Sequence, residues 1–191
     1  MLRKGITVGV MGSADETPAG HDSAKREALA RRLGGAIAGR GCVLVTGATT
    51  GVPNLVSRSV RESGGLAVGI SPGANAQEHV GAYGLPADAA DVIVYTGFGK
   101  KGRNVINVRS SDIVIVIGGG LGTLNEFTVA YDEGKTIGVL EGSGGVADRI
   151  RELLEYLNKA AGPRVIFMDD PETLIDACIR EFERGRVATS L

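Results

Sequence analysis

The stretch "VIVIGGGLGTLNEF", residues 114–127, combines residue types whose spacing suggests phosphate chemistry. An aliphatic run ends at three glycines, a Gly-Thr pair follows, and Glu126 stands three residues after Thr123. Glycines let backbone N–H groups approach an anion, and the dipole of a helix that starts here favours the same charge. Glu126 has two interpretations: an acid that acts on the bound ligand, or a first-turn acid that interacts with the helix dipole.

Two common nucleotide-binding signatures do not fit the chain. A dinucleotide fingerprint needs G-x-G-x-x-G after the first strand and an acid at the end of the second. Here the first turn is "VMGSADE", and the second apolar run ends at Thr46 and Gly47 without a carboxylate. A Walker loop needs G-x-x-x-x-G-K-[ST], and "GATTGVPN" has neither that spacing nor the lysine. The sequence therefore argues against an NAD-dependent enzyme and a Walker-type ATPase.

The elements that carry these residues alternate regularly along the chain. Short runs rich in Val and Ile show no strict polar alternation, which predicts strands covered on both faces of a parallel sheet. The predicted strands are residues 5–11, 42–46, 66–70, 91–95, 112–117, 136–140 and 164–168. The predicted helices are residues 22–39, 51–63, 100–110, 122–133, 146–160 and 171–184. The alternation predicts a three-layer α/β fold with a mostly parallel sheet of about seven strands flanked by helices.

The same pattern predicts the domain organisation. No linker or repeat interrupts the chain, so residues 1–186 are expected to form one domain and residues 187–191 a disordered tail. Residues 71–90, "SPGANAQEHVGAYGLPADAA", form the one long segment without clear periodicity. A loop of that length is more often functional or mobile than inert, so the segment is a candidate for a role at the site.

Composition and charge argue against several kinds of partner. A net charge of -1 provides no global field for nucleic acid or an anionic membrane. The apolar runs are far shorter than the roughly 18 residues that span a bilayer, and the N-terminus lacks signal-peptide features. Cys42 and Cys178 are the only cysteines, and no zinc or iron spacing is present. We therefore predict a cytoplasmic protein without metal, cofactor, nucleic-acid partner or membrane association.

In open parallel sheets, ligands bind outside the carboxyl ends of the strands. Each of the first five predicted strands is followed by Gly together with Ser or Thr, in "GSADET", "TGATTG", "SPG", "TGFGKKGRN" and "GGGLGTLNE". This convergence predicts an anion site built from several loops. The candidate phosphate- or nucleotide-binding residues are Gly12, Ser13, Gly47, Thr50, Gly51, Gly118, Gly119, Gly120, Gly122 and Thr123.

With these residues placed, the chain resembles the LOG family of phosphoribohydrolases, within the wider SLOG group of Rossmann-like proteins. The family carries P-G-G-x-G-T-x-x-E where this chain has "GGGLGTLNE". Its M-H-x-R-K motif corresponds to "KKGRN", and the following "VINVRSSDIVIVI" reaches the glycines without insertion. The segment "TGATTGVPNLV" is similar to the second glycine turn of the family. The resemblance covers nearly the whole chain and implies a Rossmann-like fold.

The resemblance also implies an activity and its residues. LOG proteins cleave the N-glycosidic bond of a nucleoside 5'-monophosphate, which releases the free base and ribose 5-phosphate. The family's arginine and glutamate, which act at the ribose, correspond to Arg103 and Glu126. A carboxylate there can stabilise the oxocarbenium-like ribose, and an arginine can hold ribose or phosphate oxygens through its planar donors.

Departures from the motif leave a second function open. Lys100 and Lys101 replace Met-His, Asn104 replaces the motif lysine, and Gly118 stands where the family has proline. Asn104 is a further candidate to contact the ligand. These features resemble a sister branch of bacterial proteins that is also similar to molybdenum cofactor carrier proteins, which bind a pterin phosphate without cleaving nucleotides. The alternative is therefore a non-catalytic carrier or sensor of a phosphorylated heterocycle. Because relatives pair through helices, a homodimer or higher homo-oligomer is expected.

Overall fold

The computed structural model describes residues 5–14, 21–158 and 164–189, and within them the strands form one parallel sheet. The strands are β1 (Thr7–Gly12), β2 (Val43–Thr46), β3 (Leu66–Ser71), β4 (Val92–Tyr95), β5 (Ile113–Ile117), β6 (Thr136–Leu140) and β7 (Val165–Met168). The α-helices are α1 (His21–Gly39), α2 (Gly51–Glu62), α3 (Gly99–Arg109), α4 (Leu121–Asp132), α5 (Ile150–Tyr156) and α6 (Pro171–Thr189). The predicted Rossmann-like α/β architecture is confirmed.

Helices cover both faces of the sheet, and β5 shows why its sequence has no polar alternation. All five β5 residues are buried. Ile113, Ile115 and Ile117 pack in the core cluster that includes α1, α2 and α6. Val114 and Val116 pack in the other cluster, with α3, α4 and α5. A strand buried on both faces needs apolar residues at every position, which is the pattern that the sequence carries.

The strand order is β4-β3-β2-β1-β5-β6-β7, with every neighbouring pair parallel. The chain therefore builds outward from β1 to β4 and then returns to place β5 beside β1. At such a switch point the loops after the two central strands turn in opposite directions and leave a crevice at the carboxyl edge. This crevice lies between the loop after β1 and the glycine turn after β5.

Two predicted helices differ from the structure by more than two residues. The helix predicted over 146–160 is a short 3-10 turn, Ala147–Arg149, followed by α5, which ends at Tyr156. The helix predicted over 171–184 continues as α6 to Thr189, so residues 187–189 of the expected tail lie in this helix. Gly185 lies inside α6, because a single glycine costs a helix only about 1 kcal/mol relative to alanine. Residues 190 and 191 lie outside the described ranges.

Among the helices of the described residues, none combines the length and the hydropathy of a membrane-spanning segment.

Candidate functional site

A cavity of about 570 Å³ opens at the carboxyl edge of the sheet, at the switch point. It is bordered by the loops after β1, β2 and β5 and by the first turns of α2, α3 and α4. The predicted site residues that line it are Gly12, Ser13, Gly47, Thr50, Arg103, Asn104, Gly119, Gly120, Gly122, Thr123 and Glu126. Residues from four separate sequence segments thus meet in one cavity, as the strand-end argument predicts.

The glycine turn after β5 holds a conformation that ordinary residues rarely adopt. The φ angles of Gly118 and Gly119 are +59° and +92°. A Cβ at Gly119 would also overlap the Thr123 side chain, whereas one at Gly120 or Gly122 would meet open space. Gly120 precedes α4 without a side-chain cap. The turn therefore leaves unpaired N–H groups of the first helical turn beside an open volume, which is the geometry of an anion site.

A second loop, after β6, braces this turn from behind. Gly118 donates its N–H to Ser143 Oγ at 2.8 Å, and Ser143 in turn donates to the Leu140 carbonyl at 2.6 Å. The Gly119 carbonyl accepts from Val146 N–H at 3.0 Å. Gly118 does not line the cavity, and its N–H is directed to this brace. The brace was not predicted, although "EGSGG" follows a predicted strand and carried the same Gly-Ser signal.

Gly51 also lies outside the cavity lining. It lies at the start of α2 with φ +67°, and a Cβ there would overlap the Ser13 carbonyl oxygen. The next residue, Val52, donates its N–H to that oxygen at 2.9 Å. Gly51 therefore allows α2 to approach the loop after β1, and Thr50, whose hydroxyl donates to the Ala14 carbonyl, lines the cavity in its place.

Arg103 and Glu126 form a buried ion pair in the cavity wall. Arg103 Nη1 lies 3.4 Å from Glu126 Oε1, and the two residues are 7% and 6% exposed. The guanidinium packs directly over Gly47, where any Cβ would overlap it. Asn107 Nδ2 donates to the same Glu126 oxygen at 3.1 Å. A side chain at position 47 would therefore displace the Arg103 guanidinium from this place.

Burial shifts the pKa values of both partners toward their neutral forms. The pKa of Glu126 is raised by desolvation, and Arg103, Asn107 and Lys101 oppose that rise. The pKa of Arg103 is lowered by desolvation, which the Glu126 charge opposes. Groups whose pKa values are perturbed by burial and a specific partner in a cleft are typical of functional sites.

Polar atoms in the cavity wall remain without partners. Arg103 Nε and Asn107 Oδ1 are buried and make no hydrogen bond within the described residues. An unpartnered buried group costs roughly 1–3 kcal/mol, so native proteins retain few of them. Asn104 is satisfied differently, since its Nδ2 donates to Asn125 Oδ1 at 2.9 Å. The two unpartnered atoms lie beside the ion pair and indicate a site that is completed by a ligand or water.

The electrostatic surroundings of the cavity favour an anion. Helices α2, α3 and α4 all begin at its edge, and none has a side-chain cap on its N-terminus. Lys100 and Lys101 also line it, although cations at a helix start oppose the helix dipole. Glu126 is the sole carboxylate in the described lining. Three helix N-termini and two lysines therefore surround one acid.

The outer wall comes from the 71–90 segment, which had no predicted structure. Its central part is a π-helical turn, Glu78–Ala82. His79 is fully buried; its ring nitrogens lie 2.8 Å from Ser71 Oγ and 3.1 Å from the Pro86 carbonyl oxygen. The wall residues held in this way are Pro72, Tyr83, Gly84 and Leu85. His79 thus holds this wall in place through its two ring nitrogens. The sequence did not predict this contact, because the segment has no periodic pattern.

Two known proteins are similar in sequence to this chain. An uncharacterized protein from Archaeoglobus fulgidus is 36% identical over 136 residues, covering 71% of this chain and 80% of the relative. A cytokinin riboside 5'-monophosphate phosphoribohydrolase from Mycobacterium tuberculosis is 30% identical over 162 residues, covering 78% of this chain and 83% of the relative. The LOG resemblance is thereby confirmed.

A solved structure supports the second part of the resemblance. The molybdenum cofactor binding protein from the phototrophic bacterium Rippkaea orientalis matches with a TM-score of 0.69 and 30% identity, covering 95% of this chain and 97% of that one. The family model described as SLOG cluster4 matches residues 5–175, which span all seven strands. The chain therefore belongs to the SLOG cluster4 family.

Proposed function

We propose that this protein binds a nucleoside 5'-monophosphate and hydrolyses its N-glycosidic bond, releasing the free base and ribose 5-phosphate. The observation that carries the proposal is the buried Arg103–Glu126 pair, which lines the same cavity as the open glycine turn. A nucleotide whose phosphate binds at the turn would have its ribose in the same cavity as the Arg103 and Glu126 side chains. The M. tuberculosis relative, a phosphoribohydrolase, supports the same activity.

The phosphate is assigned to the first turn of α4. Gly120 and Gly122 border open space, Thr123 supplies a hydroxyl, and the helix dipole favours the charge. The cavity of about 570 Å³ falls within the range of about 300–1,000 Å³ that is usual for small-molecule sites. It is therefore large enough for a nucleotide.

Glu126 is assigned the charge-stabilising role. As the base departs, positive charge develops on the ribose, and a carboxylate beside it lowers the energy of that state or orients the attacking water. Arg103 holds Glu126 and offers its other donors to ribose or phosphate oxygens. The low polarity of a buried site strengthens both interactions relative to water.

Base release tests this function directly. Purified protein is incubated with AMP and a panel of nucleoside 5'-monophosphates, and free base is quantified by chromatography. Glu126→Gln is expected to reduce release by at least about 100-fold while leaving nucleotide binding within a few-fold, because the amide keeps the shape and loses the charge. Glu133→Gln, an exposed acid at the opposite end of the same helix, is the matched control. No base from any nucleotide in the panel would contradict the proposal.

A second candidate function is non-catalytic carriage of a phosphorylated heterocycle such as the molybdenum cofactor. The likeness to the R. orientalis protein supports it, as does a cavity wall that combines an anion site with apolar residues. A carrier is expected to retain its cargo through purification, and mass spectrometry of the extracted small molecule would identify it. Cargo retention should survive Glu126→Gln and weaken in Gly120→Val, which fills the open space over the turn.

A further inference from the structure

Asn107 is a buried amide that none of the sequence motifs required. It follows Arg103 by one turn of α3, is 1% exposed, and lines the cavity. Its Nδ2 donates to Glu126 Oε1 and to Met11 Sδ, each at 3.1 Å. An amide nitrogen carries two hydrogens, so both donors of Asn107 are engaged.

The Met11 sulfur determines which way the amide faces. A thioether accepts hydrogen bonds and has no hydrogen to donate, so the nitrogen of Asn107 must be the atom that faces it. The same nitrogen then reaches Glu126, and the amide oxygen remains buried without a partner among the described residues. A donor that faces a carboxyl group favours the ionised form of that group.

The two oxygens of Glu126 have different surroundings. Oε1 accepts from Arg103 Nη1 at 3.4 Å and from Asn107 Nδ2 at 3.1 Å. Within the described residues no hydrogen bond reaches Oε2. Because Glu126 lines the cavity, this arrangement holds the carboxylate through one oxygen and leaves the other for a ligand.

We propose that Asn107 is a positioning residue that clamps Oε1 of Glu126, keeps the buried carboxylate ionised, and leaves Oε2 to meet the ligand. The role of Glu126 Oε2 at the ribose rests on the proposed function. The contact between Asn107 and Glu126 Oε1, by contrast, is present in the protein without ligand. The charged groups that face Glu126 are Arg103 and Lys101 on α3, while β1 contributes only the neutral Met11. Without the amide, those two cations alone would oppose the burial that raises the Glu126 pKa.

The ionisation of Glu126 can be measured without ligand. Full-length protein carrying glutamate labelled with ¹³C at Cδ is titrated by NMR, and Glu126→Gln assigns the signal. Asn107→Leu keeps the side-chain size and removes the donor. We expect it to raise the titration midpoint of Glu126 by about one pH unit, the usual consequence of losing a hydrogen bond to a charged group.

Ser111→Ala is the matched control. Ser111 is also buried on this stretch of chain, and its hydroxyl donates to the Asn107 backbone carbonyl at 2.8 Å. It makes no hydrogen bond to Glu126, so a variant that disturbs only packing near α3 should leave the midpoint unchanged. An unchanged or lowered midpoint in Asn107→Leu would overturn the inference.

Asn107→Asp provides a second test in case Asn107→Leu does not fold. It keeps the shape and places a second carboxyl group against Glu126, so the two groups should titrate as a coupled pair whose upper step lies above the wild-type midpoint. The absence of a step above the wild-type midpoint in that variant would equally reject the clamp. Because the titration needs no turnover, its result stands even if no nucleotide is cleaved. Base release together with an unchanged titration would keep the proposed function and reject the role of Asn107.

Discussion

Helices α3 and α4 are joined by two arginine–glutamate pairs that differ in every respect except residue type. At the cavity end, Arg103 and Glu126 are 3.4 Å apart and buried. At the opposite end, Arg109 Nε and Glu133 Oε1 are 2.7 Å apart, and the arginine side chain is 68% exposed. The shorter pair has the features of a surface contact, and the longer pair has those of a functional site. Burial, and not distance, distinguishes them.

The physical reason is desolvation. An exposed pair contributes about 0–1 kcal/mol, because water screens it and holding two long side chains costs entropy. A buried pair loses several kcal/mol of hydration for each ion and regains it only through good geometry and additional hydrogen bonds. The Arg103–Glu126 geometry is loose and leaves Arg103 Nε without a partner in the described structure. Such a pair is poorly suited to stabilising the fold and well suited to a ligand that completes it.

The largest expected effect comes from breaking the buried pair. Arg103→Met leaves the Glu126 charge buried without its cation, and we expect the free energy of unfolding at pH 7 to fall by about 3–5 kcal/mol. Arg109→Met, the matched change in the exposed pair, should lower it by at most about 1 kcal/mol. Urea unfolding monitored by circular dichroism measures both. Equal losses in the two variants would refute the contrast drawn from burial.

A smaller effect is expected from displacing the arginine without removing it. Gly47→Ala puts a Cβ where the Arg103 guanidinium lies, so the side chain must move away from Glu126. We expect a stability loss of about 1–3 kcal/mol and a loss of base release similar to that of Arg103→Met. Gly81→Ala, where a Cβ would meet open space, is the control. Wild-type base release in Gly47→Ala would show that this placement of Arg103 is not needed.

The smallest effect concerns pH and has opposite signs in two parts of the molecule. Burial raises the pKa of Glu126, so between its ordinary value of about 4.3 and the raised value the native state binds the extra proton. Stability contributed by this group therefore falls as pH rises through that window. At the start of α6, the Thr173 backbone N–H and the Arg32 guanidinium lower the pKa of Asp170 to about 2. Its contribution is present above its ordinary pKa and is lost as pH falls toward about 2.

Urea midpoints measured between pH 2.5 and 8 separate these two groups. Glu126→Gln should remove the decline with rising pH, and Asp170→Asn should reduce the decline with falling pH. Glu126→Gln should leave the loss of stability at low pH unchanged, and Asp170→Asn should leave the decline with rising pH unchanged. The reason is that Glu126 lies in α4 and Asp170 directly precedes α6. If the urea midpoints of both variants followed pH in parallel with the wild type, the directions assigned to the pKa shifts of Glu126 and Asp170 would be contradicted.

The strands were predictable because of their surroundings in this fold. A central strand such as β5 must be apolar on both faces, so five buried residues in a row mark it in the sequence. The glycine turn was predictable for a related reason, since its conformation excludes most other residues. By contrast, Asn107 was missed because its partners are remote: Met11 lies 96 positions away along the chain and Glu126 lies 19 away. No periodic pattern encodes a contact of that kind.

The sequence by itself determined that this chain forms a parallel α/β sheet with glycine-rich strand ends, and that Arg103 and Glu126 match a known motif. These properties are local, because backbone conformation and two-sided burial restrict which residues are allowed at each position. Only the tertiary structure decided that Gly118 and Gly51 lie outside the cavity lining, that Ser143 braces the glycine turn after β5, and which Glu126 oxygen accepts hydrogen bonds from Arg103 and Asn107. Those outcomes depend on which loops the strand order brings together, and on the desolvation that follows from that proximity.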